Sequence, residues 1–276
     1  MSPKAATPPA LNTMRLEIEG EIGTLLLNRP ESFNAMNPEM IFELPTVFSW
    51  LADCADLRAL IITGAGAAFC AGGDINWFKK GIEEPDVDIV AGVRAGAETL
   101  HQGMIDMQRI PYPVIAAING PAAGAGLSLA LACDIRICSE DAFLACAYGR
   151  IGASPDGGMT YFLPRVVGPA RAVELLLNDP NLTAQAALEE KLVSEVVPGN
   201  ELMGRAQAKA EKLAAKSPHY VKMVKQLVHG SLDHTIAEHL QLERHGIAES
   251  MGTEDLRQAV AAFLEGRSSE VVFEGR

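Results

Sequence analysis

Apolar positions along this chain change period several times, and each change marks an element. Leu16 and Ile18 alternate with charged neighbours, Gly20 interrupts, and Ile22 to Leu27 resumes the apolar run, which predicts a hairpin. Asn37-Pro38 supplies a capping residue and a first-turn proline for a helix reaching Asp53, with a kink expected at Pro45. Leu57 to Thr63 is apolar apart from Arg58 and Thr63 and ends in Gly64-Ala65-Gly66, the pattern of a buried strand. A second helix is expected over Ile89 to Arg109, and the acidic run Glu83, Glu84, Asp86, Asp88 before it reads as a solvated loop. Pro113 to Asp134, PVIAAINGPAAGAGLSLALACD, reads as a buried strand, a tight small-residue turn and an apolar helix. Ile135 to Cys138, Phe143 to Ala145 and Val193 to Val197 are the remaining strand-like runs.

Strands alternate with helices to about residue 200, which points to an α/β fold with substantial parallel pairing. From Glu201 the pattern is helical: Pro218 starts one helix, Asp233 is expected to cap another, and Thr253-Glu254-Asp255 opens a third running to Glu265. The chain thus divides into a disordered tail over 1–13, an α/β core over 14–200, and a helical region over 201–276. That last region covers the core or packs against another subunit.

Composition narrows the class. The chain has 276 residues, 48% of them hydrophobic, enough for a core that needs no disulfide or metal staple. A net charge of −12 argues against a nucleic-acid surface, so an anionic ligand must be met by local donors. No apolar run reaches membrane-spanning length, and the opening MSPKAATPPALN lacks the features of a signal peptide. The five cysteines are odd in number and without a CxxC pair, so they read as core thiols of a reducing, cytoplasmic compartment. His229, His234, His239 and His245 lack the spacing of ligands on one helix face, and no metal site is expected.

Three glycine-rich turns carry the candidate chemistry: Phe69 to Ile75, Asn119 to Ser128, and Gly152 to Gly158. The first amides of a helix have no intrahelical partner and sit at the positive end of its dipole. With Gly124, Ala125 and Gly126 at the turn, no side chain blocks them. Two such turns can present one amide each to a single oxygen, which is an oxyanion hole. A phosphate cradle is the competing reading, but neither GxGxxG nor GxxxxGK[ST] occurs. The glycines also suit close packing of helix on sheet.

FCAGGDI, PVIAAINGPAAGAGLSLALACD and IGASPDGGMTYFLPRVVG resemble the crotonase, or enoyl-CoA hydratase/isomerase, superfamily. NRPESFNAMN and TAQAALEEKLVSEVVP resemble it as well, so the likeness runs over about residues 14 to 267. The resemblance implies an α/β spiral of ββα units with a C-terminal helical trimerisation region. It also implies an acyl-CoA thioester substrate, no separate cofactor, and a homotrimer or a hexamer built as a dimer of trimers. It puts the oxyanion donors on the amides of Gly73 and Ala125. It sets Ala35, Ala71, Gly72, Asp74 and Ile75 around the adenine and pantetheine of CoA, with Trp77 beside the tunnel. Phe263 and Arg267 match C-terminal positions that reach CoA, often in a neighbouring subunit. Gly266 stands where a Lys is frequent.

Departures from the pattern point to the reaction. Hydratases of this family hold two glutamates around a water, and the corresponding positions here are Ser128 and Tyr148. Neither an ordinary hydroxyl nor a phenol activates water well near pH 7. Asp156, in Pro-Asp-Gly-Gly, stands where several isomerases of the family, including the epoxyphenylacetyl-CoA group, carry their sole acid/base. The same place is a nucleophile in a dehalogenase that also uses an upstream His, for which the sequence offers no clear counterpart. Read by itself, Asp156 before a helix is also ordinary N-cap chemistry. The expectation is therefore an enoyl-CoA isomerase. A hydratase, hydrolase or dehalogenase, and a catalytically silent acyl-CoA binder, remain the alternatives.

Overall fold

The protein is described from a computed structural model over residues 7–275. The first six residues of the expected tail lie outside the described residues. The chain is tied down before residue 14: Leu11 packs on the core, and the amides of Asn12 and Thr13 donate to the Glu43 carboxylate at 2.6 and 3.1 Å.

β1 (Met14–Glu19) and β2 (Ile22–Leu27) form the expected antiparallel hairpin. α1 (Pro38–Asp53) starts at Asn37, whose side chain accepts from the Met40 amide at 2.9 Å, and continues through Pro45. β3 (Ala59–Gly64) comes next, then α2 (Ile75–Glu83) and α3 (Ile89–Gln108). The acidic loop expected between them is shorter than its charge suggests. Asp74 caps α2, Glu83 and Glu84 pair with Lys79 and Lys80 one turn earlier, and Asp88 caps α3 by accepting from the Ala91 amide at 3.0 Å.

The Pro113–Asp134 stretch divides into β4 (Val114–Ile118), β5 (Ala122–Ala123) and α4 (Ala125–Ala132), so its turn contains a short strand of its own. Beyond it lie β6 (Ile135–Ser139), β7 (Phe143–Ala145), α5 (Met159–Val167) and α6 (Pro169–Asn178). β8 (Leu182–Thr183), α7 (Ala184–Glu189) and β9 (Glu195–Val197) close the core. β9 starts later than expected because the Leu192 and Val193 amides are spent on Ala187 O.

The large sheet runs β1-β2-β3-β4-β6-β9, parallel beyond the first pair, and the small sheet runs β5-β7-β8. Successive passes place one strand in the large sheet, one in the small sheet, and then a helix: β4-β5-α4, β6-β7-α5. This is the expected spiral of ββα units.

β3 and β4 are buried along their whole length, and alternate residues face opposite sides. Leu60, Ile62, Val114 and Ala116 join the main core with α1, α3 and α4. Ala59, Ile61, Ile115 and Ala117 meet a second layer made by Leu202, Ala206 and Ala210 of α8 (Leu202–Ala214). The expected boundary at residue 200 thus falls inside the packed structure, because α8 is the sheet's cover. α9 (Pro218–Gly230), α10 (Ile236–Met251) and α11 (Glu254–Leu264) complete the helical region. Thr235, not Asp233, caps α10, in a reciprocal box with Glu238. Asp233 instead receives Tyr161 OH at 3.0 Å and Arg165 Nη2 at 2.7 Å.

Candidate active site

Main-chain bonds join the turn after β3 to the turn after β4. The Phe69 and Cys70 amides both donate to Pro121 O at 3.1 Å, and the Ala123 amide returns to Cys70 O at 3.0 Å. Two asparagine side chains clamp the first turn. Asn34 Nδ2 donates to Ala65 O and Ala68 O, and Asn119 Nδ2 donates to Gly66 O and Ala68 O. The contact is close enough to require glycine. A methyl built on Gly126 would lie 2.1 Å from Cys70 O, and one on Gly72 would lie 2.9 Å from Ala123 O and 3.5 Å from Ala125 N. Gly72 and Ala125 are therefore neighbours across the junction, with Gly73 next along the chain.

The adjoining amides are occupied: Ala71 N–H donates to Phe33 O, Asp74 N–H to Met36 O, and Gly124 N–H to Ala145 O. Among the described residues the Gly73 and Ala125 amides find no protein acceptor. Ala125 is the first residue of α4, and Gly124 caps the helix at φ +52 without a side-chain bond, so the amide keeps its donor free. Phe78 stands beside Gly73, where a built methyl would come within 3.0 Å of its ring.

The positions expected on the CoA side serve largely as scaffold within this chain. Ala35 is buried and its carbonyl accepts from Arg29 Nη1, while Arg29 Nη2 pairs with Asp74 Oδ2 at 3.1 Å. Asp74 Oδ1 accepts from the Asn76 amide at 3.0 Å, which opens α2 and leaves Ile75 exposed beside it. Trp77 stacks near Phe78, ring centroids 5.2 Å apart, and faces Gly92 of α3. Arg267 is held by Glu265 and Glu270, and Phe263 is 73% exposed. No hydrogen bond or ion pair carries Arg267 to the two turns among the described residues. Gly266, at φ +72, ends α11 in the left-handed region that disfavours a side chain.

Asp156, Tyr148 and Ser128 do meet. After β7 the chain turns through Ala147, a non-glycine residue at φ +63 whose amide is captured by Asp179 Oδ1 at 2.7 Å. Arg150 closes on the same carboxylate at 3.1 Å, and this turn aims the Tyr148 phenol inward. Tyr148 OH lies 2.8 Å from Asp156 Oδ1 and 3.1 Å from Ser128 Oγ, and Ser128 Oγ lies 3.0 Å from Asp156 O. The two hydroxyls have one proton each. The shortest contacts give the phenol proton to the Asp156 carboxylate and the serine proton to its carbonyl. Burial, and then the charge of Asp156, push the Tyr148 pKa far above its usual value, so it remains a donor.

Asp156 is not the helix cap that its sequence setting suggests. Gly158, at φ +83, caps α5 without any side-chain bond. The carboxylate is left with Oδ1 on Tyr148 and Oδ2 free of protein donors among the described residues. One neighbour was not foreseen. The Gly157 amide donates to His101 Nε2 of α3 at 3.2 Å, which places an upstream histidine beside Asp156 where the sequence offered none. A lone His on an amphipathic helix carries no signal of that position. Cys70, within the junction, is pushed up to about 12 by burial and is no nucleophile.

Two hollows of about 330 and 240 Å³ lie beneath the C-terminal tail, both bordered by Arg58 and Ala214, and neither is lined by a residue of these turns.

Comparison with known proteins agrees with this architecture. The enoyl-CoA hydratase/isomerase family model matches residues 17–275. A probable mitochondrial enoyl-CoA hydratase of Dictyostelium discoideum is 37% identical over 256 residues, 93% of this chain and 89% of the relative. A 1,2-epoxyphenylacetyl-CoA isomerase of Escherichia coli is 36% identical over 254 residues, 92% of this chain and 95% of the relative. A crystal structure of a putative enoyl-CoA hydratase from Streptomyces coelicolor superposes with TM-score 0.90 at 31% identity, covering 100% of this chain and 98% of that one. Spiral, welded turns and matched length lead to one conclusion: the chain belongs to the enoyl-CoA hydratase/isomerase family.

Proposed function

We propose that the protein is an acyl-CoA double-bond isomerase in which Asp156 shuttles one proton. The thioester carbonyl accepts from the Gly73 and Ala125 amides, which become most effective as charge develops on the oxygen. Asp156 Oδ2 removes a proton beside the carbonyl or from the γ-carbon, the electron pair moves to the thioester oxygen, and the same carboxylic acid returns the proton to another carbon. The product has the composition of the substrate, so no second acid is needed.

The observation that carries this reading is the Ser128–Tyr148–Asp156 cluster. It contains a single carboxylate, which Tyr148 OH holds, while Ser128 Oγ is committed to the Asp156 main-chain carbonyl. The test is deuterium wash-in to a panel of enoyl-CoA esters, with product mass, for the native protein and Asp156→Asn. Deuterium incorporation with no added water, lost in the variant, supports isomerisation. Exchange persisting in the variant sinks the base.

A hydratase is the second reading, favoured by the names of several relatives, among them the Dictyostelium protein and a short-chain-enoyl-CoA hydratase of Clostridium acetobutylicum. A product heavier by one water selects it. Tight CoA-ester binding with no exchange on any substrate selects a silent binder. For assembly into a homotrimer or hexamer, exposed apolar side chains along the C-terminal helices, among them Val228, Leu232, Ile236 and Leu240, support self-association without fixing the number of subunits. Light scattering of the purified chain tests it.

A further inference from the structure

We propose that His101 is a positioning residue, holding the Asp156–Gly157 peptide on the edge opposite Ser128 and Tyr148. The proposal rests on the reading of Asp156 as the acid/base. The carbonyl of that peptide accepts from Ser128 Oγ at 3.0 Å and sits 3.2 Å from Tyr148 OH. Its N–H donates to His101 Nε2 at 3.2 Å. Carbonyl and N–H of a trans peptide point in opposite directions. The plane is thus gripped from both sides, by α4 and the Tyr148 turn on one edge and by α3 on the other.

The grip matters because Asp156 is succeeded by two glycines. Gly157 and Gly158 are both in the left-handed region, at φ +57 and +83, and glycine pairs rotate with little steric resistance. No side-chain cap of α5 steadies them. The Met159 amide spans the pair by donating to Asp156 O at 3.0 Å, but it too acts on the carbonyl edge, so without His101 the N–H edge of the peptide has no holder. His101 is exposed, but the helix that carries it is well fixed. Two positions along α3, a methyl built on Gly103 would lie 3.1 Å from Leu44 Cβ and 3.2 Å from Pro45 N, so α3 and α1 are in close contact there. Next to His101, buried Leu100 lies against Gly157, 3.6 Å from a methyl built there. A nitrogen that accepts is unprotonated, so the bond requires the neutral imidazole with its proton on Nδ1.

The experiment compares native protein, His101→Phe and His101→Gln. Phenylalanine removes the acceptor, and glutamine keeps an acceptor of similar reach. Amide hydrogen exchange at Gly157 reads the bond without reference to catalysis, and deuterium wash-in reads kcat and KM. His101→Phe is expected to expose the Gly157 amide and lower kcat about 10- to 100-fold with KM little changed, as for a misplaced catalytic group. His101→Gln is expected to restore both. Unchanged Gly157 protection in His101→Phe overturns the proposal, as does lost protection with unchanged kcat. Glutamine that restores protection but not kcat also overturns it, because the imidazole itself would then be needed. Full turnover in Asp156→Asn sinks the assigned base instead, a separate result that leaves the Gly157 readings to decide the hold.

Discussion

The phenol of Tyr148 donates to Oδ1 of Asp156 at 2.8 Å, and this contact leaves the carboxylate one open oxygen. Oδ1 is bound to a group that burial keeps protonated, so Oδ2 is the oxygen left to meet a substrate proton. The phenol does not compete for that proton.

Replacing Asp156 with Asn keeps the shape and an acceptor for Tyr148 but removes the base. Turnover is expected to fall about 10²- to 10⁴-fold, the range for general acid–base groups, with KM nearly constant. Steady-state kinetics on the best enoyl-CoA of the panel decide it, and near-native kcat would refute the assignment.

Tyr148→Phe removes the hydrogen bond to the Asp156 carboxylate together with the longer contacts to Ser128 Oγ and Asp156 O. A bond to a charged carboxylate is worth about 1.5 to 3 kcal/mol, so kcat is expected to drop roughly 10- to 100-fold. A melting temperature close to native, measured alongside, separates loss of aim from loss of fold.

Ala125→Pro deletes one candidate oxyanion donor at the helix position where proline is best tolerated. The expected loss is about 10²- to 10³-fold in kcat with the circular dichroism spectrum retained. Ala125→Gly, which keeps the N–H, is expected to behave as native. A proline variant with native kcat would remove Ala125 from the mechanism.

Glycine at 126 and glycine at 96 have opposite reasons. A methyl at 126 would sit 2.1 Å from Cys70 O, against rigid main chain, whereas a methyl at 96 meets nothing within 4 Å. Gly126→Ala is expected to destabilise by about 1–3 kcal/mol or more, and Gly96→Ala to stabilise by about 0.5–1 kcal/mol through helix propensity. Urea midpoints of the two variants test the pair.

Asp134 ties the C-terminal helices to the core. Lys225 Nζ of α9 lies 2.6 Å from its Oδ2, His229 Nε2 approaches Oδ1 at 3.2 Å, and the Val114 amide donates to Oδ2 at 2.7 Å. Burial opposes the charge, but His229, Lys225 and Val114 outweigh it and hold the carboxylate below its ordinary value of 3.8. A lowered pKa contributes stability at pH above the ordinary value and loses it as pH falls through the folded one. Asp134→Asn is expected to cost about 1–3 kcal/mol near neutrality by leaving the half-buried Lys225 without its counter-charge, held only by Tyr112 O. The difference in melting temperature between native and variant should shrink below about pH 4.

The large elements were legible because their periods are clean: β3 and β4 as unbroken apolar runs, α1 from Asn37-Pro38. The α10 cap was misread at Asp233, although Thr235 and Glu238 carry the spacing of the box that the structure shows. α2 was missed because Gly72-Gly73-Asp74 reads as loop and its sequence, INWFKKGIE, continues into an acidic run. The meeting of Ser128, Tyr148 and Asp156 came from resemblance, not from pattern. The His101 contact joins residues 56 apart in the chain and depends on how one turn of the spiral stacks on the next. No local period encodes that.

The weld between the two glycine turns is built from carbonyls and amides, from Phe69 and Cys70 to Pro121 and Ala123. Side-chain replacement does not erase such groups, and only proline deletes an amide. Residues 128, 148 and 156 arrive from separate elements and can be exchanged without touching it. Heredity in such a chain is split: the frame is copied in main-chain atoms, and the chemistry is rewritten a codon at a time.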